Sequence, residues 1–199
     1  ATALGSSGDR PAALAELMGI ILNDGVRLPS VRIDNLHFAE GTPYETRLGF
    51  VAGSGKRVMP VEVARALQDA LANVVEGGTA RRLQGAFKQE DGSALRIGGK
   101  TGTGDNRIQS VGAGGRLISS LALNRTATFV FYLGPNHFGT LTAYVPGRAA
   151  DSFRFTSALP VQTLKGMAPI LQPYLQGANS LCQPEHLPAL TSGMLSAEN

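Results

Sequence analysis

Three stretches of strand-like composition follow one another in the second half of this chain, at Ala94–Thr103, Thr126–Leu133 and Gly139–Val145. Turn signals separate them: Gly112-Ala113-Gly114-Gly115 marks a loop, and Pro135-Asn136-His137 suits a hairpin. A parallel pair needs a crossover of a dozen or more residues, usually a helix, and no helical pattern stands between these stretches. The expectation is an antiparallel sheet. Helical patterns lie on both sides of it. Pro11 to Asn23 places Leu14, Leu17, Met18, Ile21 and Leu22 on one face, with Asp9 as its cap and Asp24-Gly25 as its end. Met59-Pro60 opens a second helix, in which Val61, Ala64, Leu67, Leu71, Val74 and Val75 recur at helical spacing. A short helix is expected over 80–86, a turn at Asp91-Gly92, and a final helix from Thr156 to Gln176, which Pro169 and Pro173 kink or shorten. Between the first two helices the chain reads as weakly extended, with a strand candidate at 31–38 and a turn at Gly41-Thr42-Pro43. Helices grouped around an antiparallel sheet define an α+β layer fold.

Composition narrows the classes. The chain has 199 residues, 43% apolar and 17% charged, enough for one domain with a sizeable core. It contains no run of 18 or more apolar residues, and its first residues lack the basic start and apolar stretch of a signal peptide. The net charge of +3 is mild, and Lys56-Arg57 and Arg81-Arg82 are the only adjacent basic pairs, so no nucleic-acid partner is expected. The single cysteine, Cys182, has no partner for an internal disulfide and stands in an irregular tail. His37, His137 and His186 show no ligand spacing, so no metal and no cofactor is expected. Gly53-Ser54-Gly55-Lys56 imitates part of a phosphate-binding loop. However, Phe50 stands where the first glycine belongs and Arg57 where the Ser or Thr belongs. Gly102-Thr103-Gly104 lacks the third glycine of a dinucleotide fingerprint.

The chemistry-bearing stretch is Gly98-Gly99-Lys100-Thr101-Gly102-Thr103-Gly104. In a strand, Thr101 and Thr103 point to the same face. Two further blocks precede it: Leu14-Ala15-Glu16-Leu17 with Asn23-Asp24-Gly25-Val26, and Val74-Val75-Glu76-Gly77-Gly78-Thr79-Ala80. Together, in this order, they resemble penicillin-binding-protein transpeptidase domains, closest to the bifunctional class A type, with their "VVxxGTA" helix end and "AGKTGT" strand. The resemblance spans about residues 3 to 176 and covers only the C-terminal part of such a domain. Residues 1–176 are expected to form that part, and 177–199 a loose tail. The family's Ser-x-x-Lys nucleophile motif and its Ser-x-Asn motif stand nowhere upstream of Lys100 in this sequence.

The resemblance implies the C-terminal part of the β-lactamase/transpeptidase-like fold and a role in peptidoglycan cross-linking by a serine D,D-transpeptidase. Its partners would be a D-Ala-D-Ala stem peptide and β-lactams, at the outer (periplasmic) face of a bacterial cytoplasmic membrane. By the same resemblance, the Thr103 N–H is an oxyanion donor, Lys100 supplies positive charge, the Thr101 and Thr103 hydroxyls bind a carboxylate, and Gly102 admits the substrate backbone. The family often follows this motif with a second Thr and an Asp-Ala-Trp-Phe stretch. Here Gly104-Asp105-Asn106-Arg107 follows, and the chain has no Trp. Residues 104–116 are expected to be loop, with Asp105 capping the turn rather than acting as a base. The chain by itself is expected to be inactive. The 139–145 strand is expected to need a partner that these residues do not supply, either the missing part of the same domain or a second copy. Two other readings stay open: a non-catalytic binding or scaffold module of cell-wall assembly, and a D,D-carboxypeptidase or β-lactamase relative.

Overall fold

The computed structural model describes residues 10–175 apart from 32, 34 and 50–52. Asp9, Cys182, His186 and the tail expected at 177–199 lie outside the described residues.

Helix α1 spans Pro11–Leu22, with proline in its first turn, where the missing N–H costs nothing. It ends as expected, on Asp24 and Gly25 at φ 49° and 85°. A side chain at Gly25 would meet the Met59 carbonyl oxygen at 2.2 Å, so this glycine serves packing as well as the turn. Two short hairpin-like sheets follow. Strand β1 (Val26–Arg27) pairs with β4 (Lys56–Arg57), and β2 (Asn35–Phe38) pairs with β3 (Thr46–Gly49), both antiparallel. The second is tied by Glu45, which meets His37 Nε2 at 2.7 Å, accepts the Gly41 N–H at 3.0 Å and pairs with Arg47. Helix α2 spans Val61–Glu76 and buries Ala64, Ala72 and Val75.

The helix expected over 80–86 is instead one 3-10 turn, Arg81–Leu83. Gly85, at φ 67°, ends any continuation. The Asp91-Gly92 turn is present: the Gln89 N–H donates to the Ser93 carbonyl, and Gly92 has φ 81°.

The main sheet has the order β5-β6-β7, with β5 at Ile97–Val111, β6 at Leu117–Leu133 and β7 at His137–Pro146, all antiparallel. Its two faces are covered differently. On one, Tyr132 lies over Gly98 and donates to the Gln68 carbonyl of α2 at 2.9 Å, while Phe138 packs on Gly19 of α1. Burial pushes the Tyr132 hydroxyl pKa up. On the other, Phe129 and Phe131 stack at 5.6 Å between ring centres, with Leu83, Phe87, Val161 and Leu164 around them. Phe87, Phe129, Leu83, Leu164 and Val161 are the largest side chains here that are fully withdrawn from water, each stabilising by about 1.5–3 kcal/mol.

The final helical stretch divides into α3 (Ala158–Gly166) and α4 (Ala168–Leu175). The break falls at Met167, just ahead of Pro169, as a proline that lacks its N–H requires. Gln172 of α4 accepts the Lys88 N–H at 2.9 Å and donates to the Lys88 carbonyl at 2.6 Å.

A second expectation is overturned. Residues 104–116 are not a loop: β5 runs eight residues past Thr103 and β6 begins at Leu117, forming a two-stranded arm closed by a tight tip. In the tip the Gly112 N–H donates to the Arg116 carbonyl, and Gly114 and Gly115 take positive φ. Register shifts at Asn106/Arg107 and Ser110/Val111 let a sequence without clean alternation stay in a ladder, at the cost of added twist. Strand β7 pairs with β6 only as far as Pro146 opposite Asn124, and on its other side it carries no strand among the described residues.

Candidate functional site

The start of β5 is shaped by what lies behind it. Gly98 and Gly99 are not turn residues. A side chain at Gly98 would enter the Tyr132 ring at 2.3 Å, and one at Gly99 would meet the Val130 carbonyl at 2.4 Å and Phe129 at 2.7 Å. Their absence of bulk lets β5 lie flat on the aromatic residues of β6. Gly102 and Gly104 differ: nothing lies within 4 Å of where their side chains would be. The change from packed to open glycine falls within the motif itself.

Among the described residues β5 pairs only on its β6 side, which leaves its other edge open along Lys100–Thr103. Lys100 is exposed, and its Nζ donates to the Thr101 carbonyl at 2.6 Å, which holds the ammonium close along the strand. Thr101 is 8% exposed and shares a 2.7 Å hydrogen bond with Thr79 Oγ1, from the turn after α2. Thr103 is exposed, and its Oγ1 accepts the Ser157 N–H at 2.7 Å, just ahead of α3. The two threonines thus lie on one strand face, as their spacing requires, and each is held by a different element.

Arg125 fixes the approach to Ser157. Its guanidinium donates to the Phe155 carbonyl from Nε at 2.9 Å and Nη2 at 2.6 Å, and lies 5.5 Å from the centre of the Phe155 ring. Beyond the motif, Asp105 does not cap a turn. It pairs with Arg107 at 2.8 Å, and Arg107 also reaches Asp151 at 3.2 Å. The hydrogen bond that Arg107 donates to Asp105, with Asp151 beside it, raises the Arg107 pKa further.

Lys100, Thr101, Gly102 and Thr103 are therefore brought to one open edge. Thr79, Arg125 and Ser157 were not singled out from the sequence. Thr79 stands in the quoted Gly-Gly-Thr-Ala run, which was the available signal. Nothing in the sequence connects Ser157 with Thr103, 54 residues away. His37 and His137 lie apart from this edge: His37 is engaged with Glu45, and His137 begins β7. Among the described residues no group of three or more His, Cys, Asp or Glu is placed to hold a metal ion. A separate concavity lies between Leu22, Gln68, Leu95, Arg96 and Tyr132, where Arg96 is paired with Asp69 and Tyr132 with Gln68. The edge at Lys100–Thr103 is an open wall, not a closed pocket.

No family model and no curated protein matches the chain. Solved structures do match. The D,D-transpeptidase domain of a peptidoglycan glycosyltransferase from Eggerthella lenta is 18% identical, with a TM-score of 0.50 over 80% of this chain and 31% of that one. Penicillin-binding protein A from M. tuberculosis, solved as a ceftriaxone acyl-enzyme complex, is 19% identical, with a TM-score of 0.51 over 79% of this chain and 32% of that one. The chain spans about a third of the length of these proteins. It shares the fold of part of a penicillin-binding-protein transpeptidase, an antiparallel sheet flanked by helices. Among the described residues no helix is long and apolar enough to cross a membrane.

Proposed function

We propose that this chain is the Lys-Thr-Gly wall of a serine D,D-transpeptidase site that cross-links peptidoglycan stem peptides at the outer face of the cytoplasmic membrane and is acylated by β-lactams. The observation that carries the reading is the placement of Lys100–Thr103 on the open edge of β5, with the Thr103 hydroxyl held by Ser157 and free space at Gly102. An extended peptide lies along such an edge as an added strand.

In the reaction a serine oxygen attacks the carbonyl carbon between the two D-Ala residues. The terminal D-Ala leaves with a proton on its nitrogen, and an amine then takes the acyl group from the serine. That serine lies outside these 199 residues, so the isolated chain is inactive. Here the Thr103 N–H donates to the oxyanion, Lys100 adds positive charge, and the threonine edge holds the substrate carboxylate. The free side of β7 is completed by a strand from the same protein, or by a second copy.

The test is the intact mass of the protein at its native length, before and after incubation with a penicillin. One stable adduct is expected. No adduct on the folded protein, with no turnover of the drug, overturns the proposal. The bare arm beyond Gly104 favours a second reading, a non-catalytic module of cell-wall assembly, because it carries exposed apolar residues away from the motif. That reading requires a folded protein that never forms an adduct. Release of D-Ala without cross-linking, or rapid drug turnover, would assign a carboxypeptidase or β-lactamase instead.

A further inference from the structure

The hydroxyl protons at the β5 edge are directed by their partners. Thr101 is buried, and its Oγ1 has one partner among the described residues, Thr79 Oγ1. A buried hydroxyl proton without an acceptor costs about 1–3 kcal/mol, so Thr101 donates and Thr79 accepts. Thr79 is exposed, and its own proton is left for an outside acceptor. Thr103 reaches the same state by another route. Its oxygen accepts the Ser157 N–H, a donor that cannot reverse, so the Thr103 proton is also left for an outside acceptor.

Two outward O–H donors thus serve the strand edge that also carries Lys100, whose ammonium is held on the Thr101 carbonyl. Thr101 and Thr103, which hold their places along the strand, are two residues apart, about 7 Å. A carboxylate presents two oxygens that accept such donors with charge-assisted strength.

We infer that Thr79, in the turn after α2, is a carboxylate-binding residue of this site that donates outward in place of Thr101. The Ser157 N–H holds Thr103 as the second donor. Thr101 is then a positioning residue, acting through Thr79. This rests on the reading of the site as one that takes a peptide ending in a free carboxylate.

The test uses the protein at its native length and two probes, acetyl-D-Ala-D-Ala and the same dipeptide with a C-terminal carboxamide, in equilibrium binding. The unaltered protein prefers the carboxylate. Thr79→Val lowers carboxylate affinity about tenfold, leaves amide affinity unchanged, and so removes most of the preference, while Thr79→Ser keeps it. Ser157 has φ −57°, which proline adopts, so Ser157→Pro deletes the N–H with little backbone change. It weakens the preference, whereas Ser157→Ala does not. Thr79→Ala serves as a second variant should the valine protein fail to fold. If the unaltered protein shows no preference, the peptide-carboxylate reading falls and this inference falls with it. If the preference is present and survives both Thr79→Val and Thr79→Ala, the Thr79 assignment alone is overturned.

Discussion

The inner and outer halves of the β5–β6 hairpin share one hydrogen-bonded ladder and almost nothing else. The inner half pairs Ile97–Thr103 with Ala127–Leu133 and lies between helices, and Phe129 there is wholly buried. The outer half pairs Gly104–Val111 with Leu117–Thr126, and β7 leaves it at Asn124. Among the described residues no α-helix covers it; the 3-10 turn Arg148–Ser152 packs beside its base, where Ala122 is buried, while Ile118 nearer the tip is 70% exposed. A continuous ladder therefore says nothing about burial. What makes the inner half a core is the set of elements packed on both its faces, and beyond the motif only the Arg148–Ser152 turn continues that cover, over Ala122. The candidate site lies at this boundary, rigid behind and open in front.

The largest expected contrast is between Phe129→Ala and Ile118→Ala. The first removes a buried ring and costs about 3–5 kcal/mol; the second stays within about 0.5 kcal/mol. Denaturant midpoints measure both, and comparable losses would break the distinction between the halves.

Next is a pair of glycines in the same strand. Gly99→Ala forces a methyl against the Val130 carbonyl and the Phe129 ring and costs about 1–3 kcal/mol. Gly104→Ala meets nothing and is neutral, or stabilising by about 0.4–1 kcal/mol through the unfolded chain. A destabilised Gly104→Ala would place the boundary beyond the motif.

A smaller effect sharpens how the boundary is built. Arg125→Met loses both hydrogen bonds to the Phe155 carbonyl, for about 1–2 kcal/mol. Amide exchange at Ser157 should accelerate well beyond that at Phe87, and a uniform acceleration would show instead that the segment before α3 opens only with the whole protein.

The smallest effect belongs to a hairpin outside both halves. The Gly41 N–H, then His37, hold the Glu45 carboxyl down to about 2, against an ordinary 4.5. A depressed folded pKa gives stability that is present above the unfolded pKa and lost as pH falls through the folded one. The β2–β3 hairpin should therefore loosen between about pH 4.5 and 2, with solvent screening keeping the effect modest. A carbon-detected titration of Glu45 with a midpoint near 4.5 would remove the basis for it.

Most of the sheet and three of the helix positions were legible because burial imposes a period. The inner strands alternate against a core, and α2 repeats its apolar residues along one side. The outer arm was not legible, since Gly104-Asp105-Asn106-Arg107 faces solvent and nothing imposes a pattern on it. The 80–86 stretch misled because Ala, Leu and Arg favour helix while Gly85 at φ 67° breaks it. The motif's location on a strand was readable. The partners of its hydroxyls were not: Thr79 and Ser157 meet Thr101 and Thr103 through tertiary packing alone.

The clasp between Gln172 and Lys88 has an evolutionary corollary. Because the amide grips only the main chain of residue 88, it is blind to the side chain there. Position 88 is free to drift among most residue types, proline excepted because it has no N–H to offer. Position 172 is restricted to a side chain that both donates and accepts at that reach. Related chains that keep this helix should therefore vary freely at one end of the clasp and hold glutamine at the other.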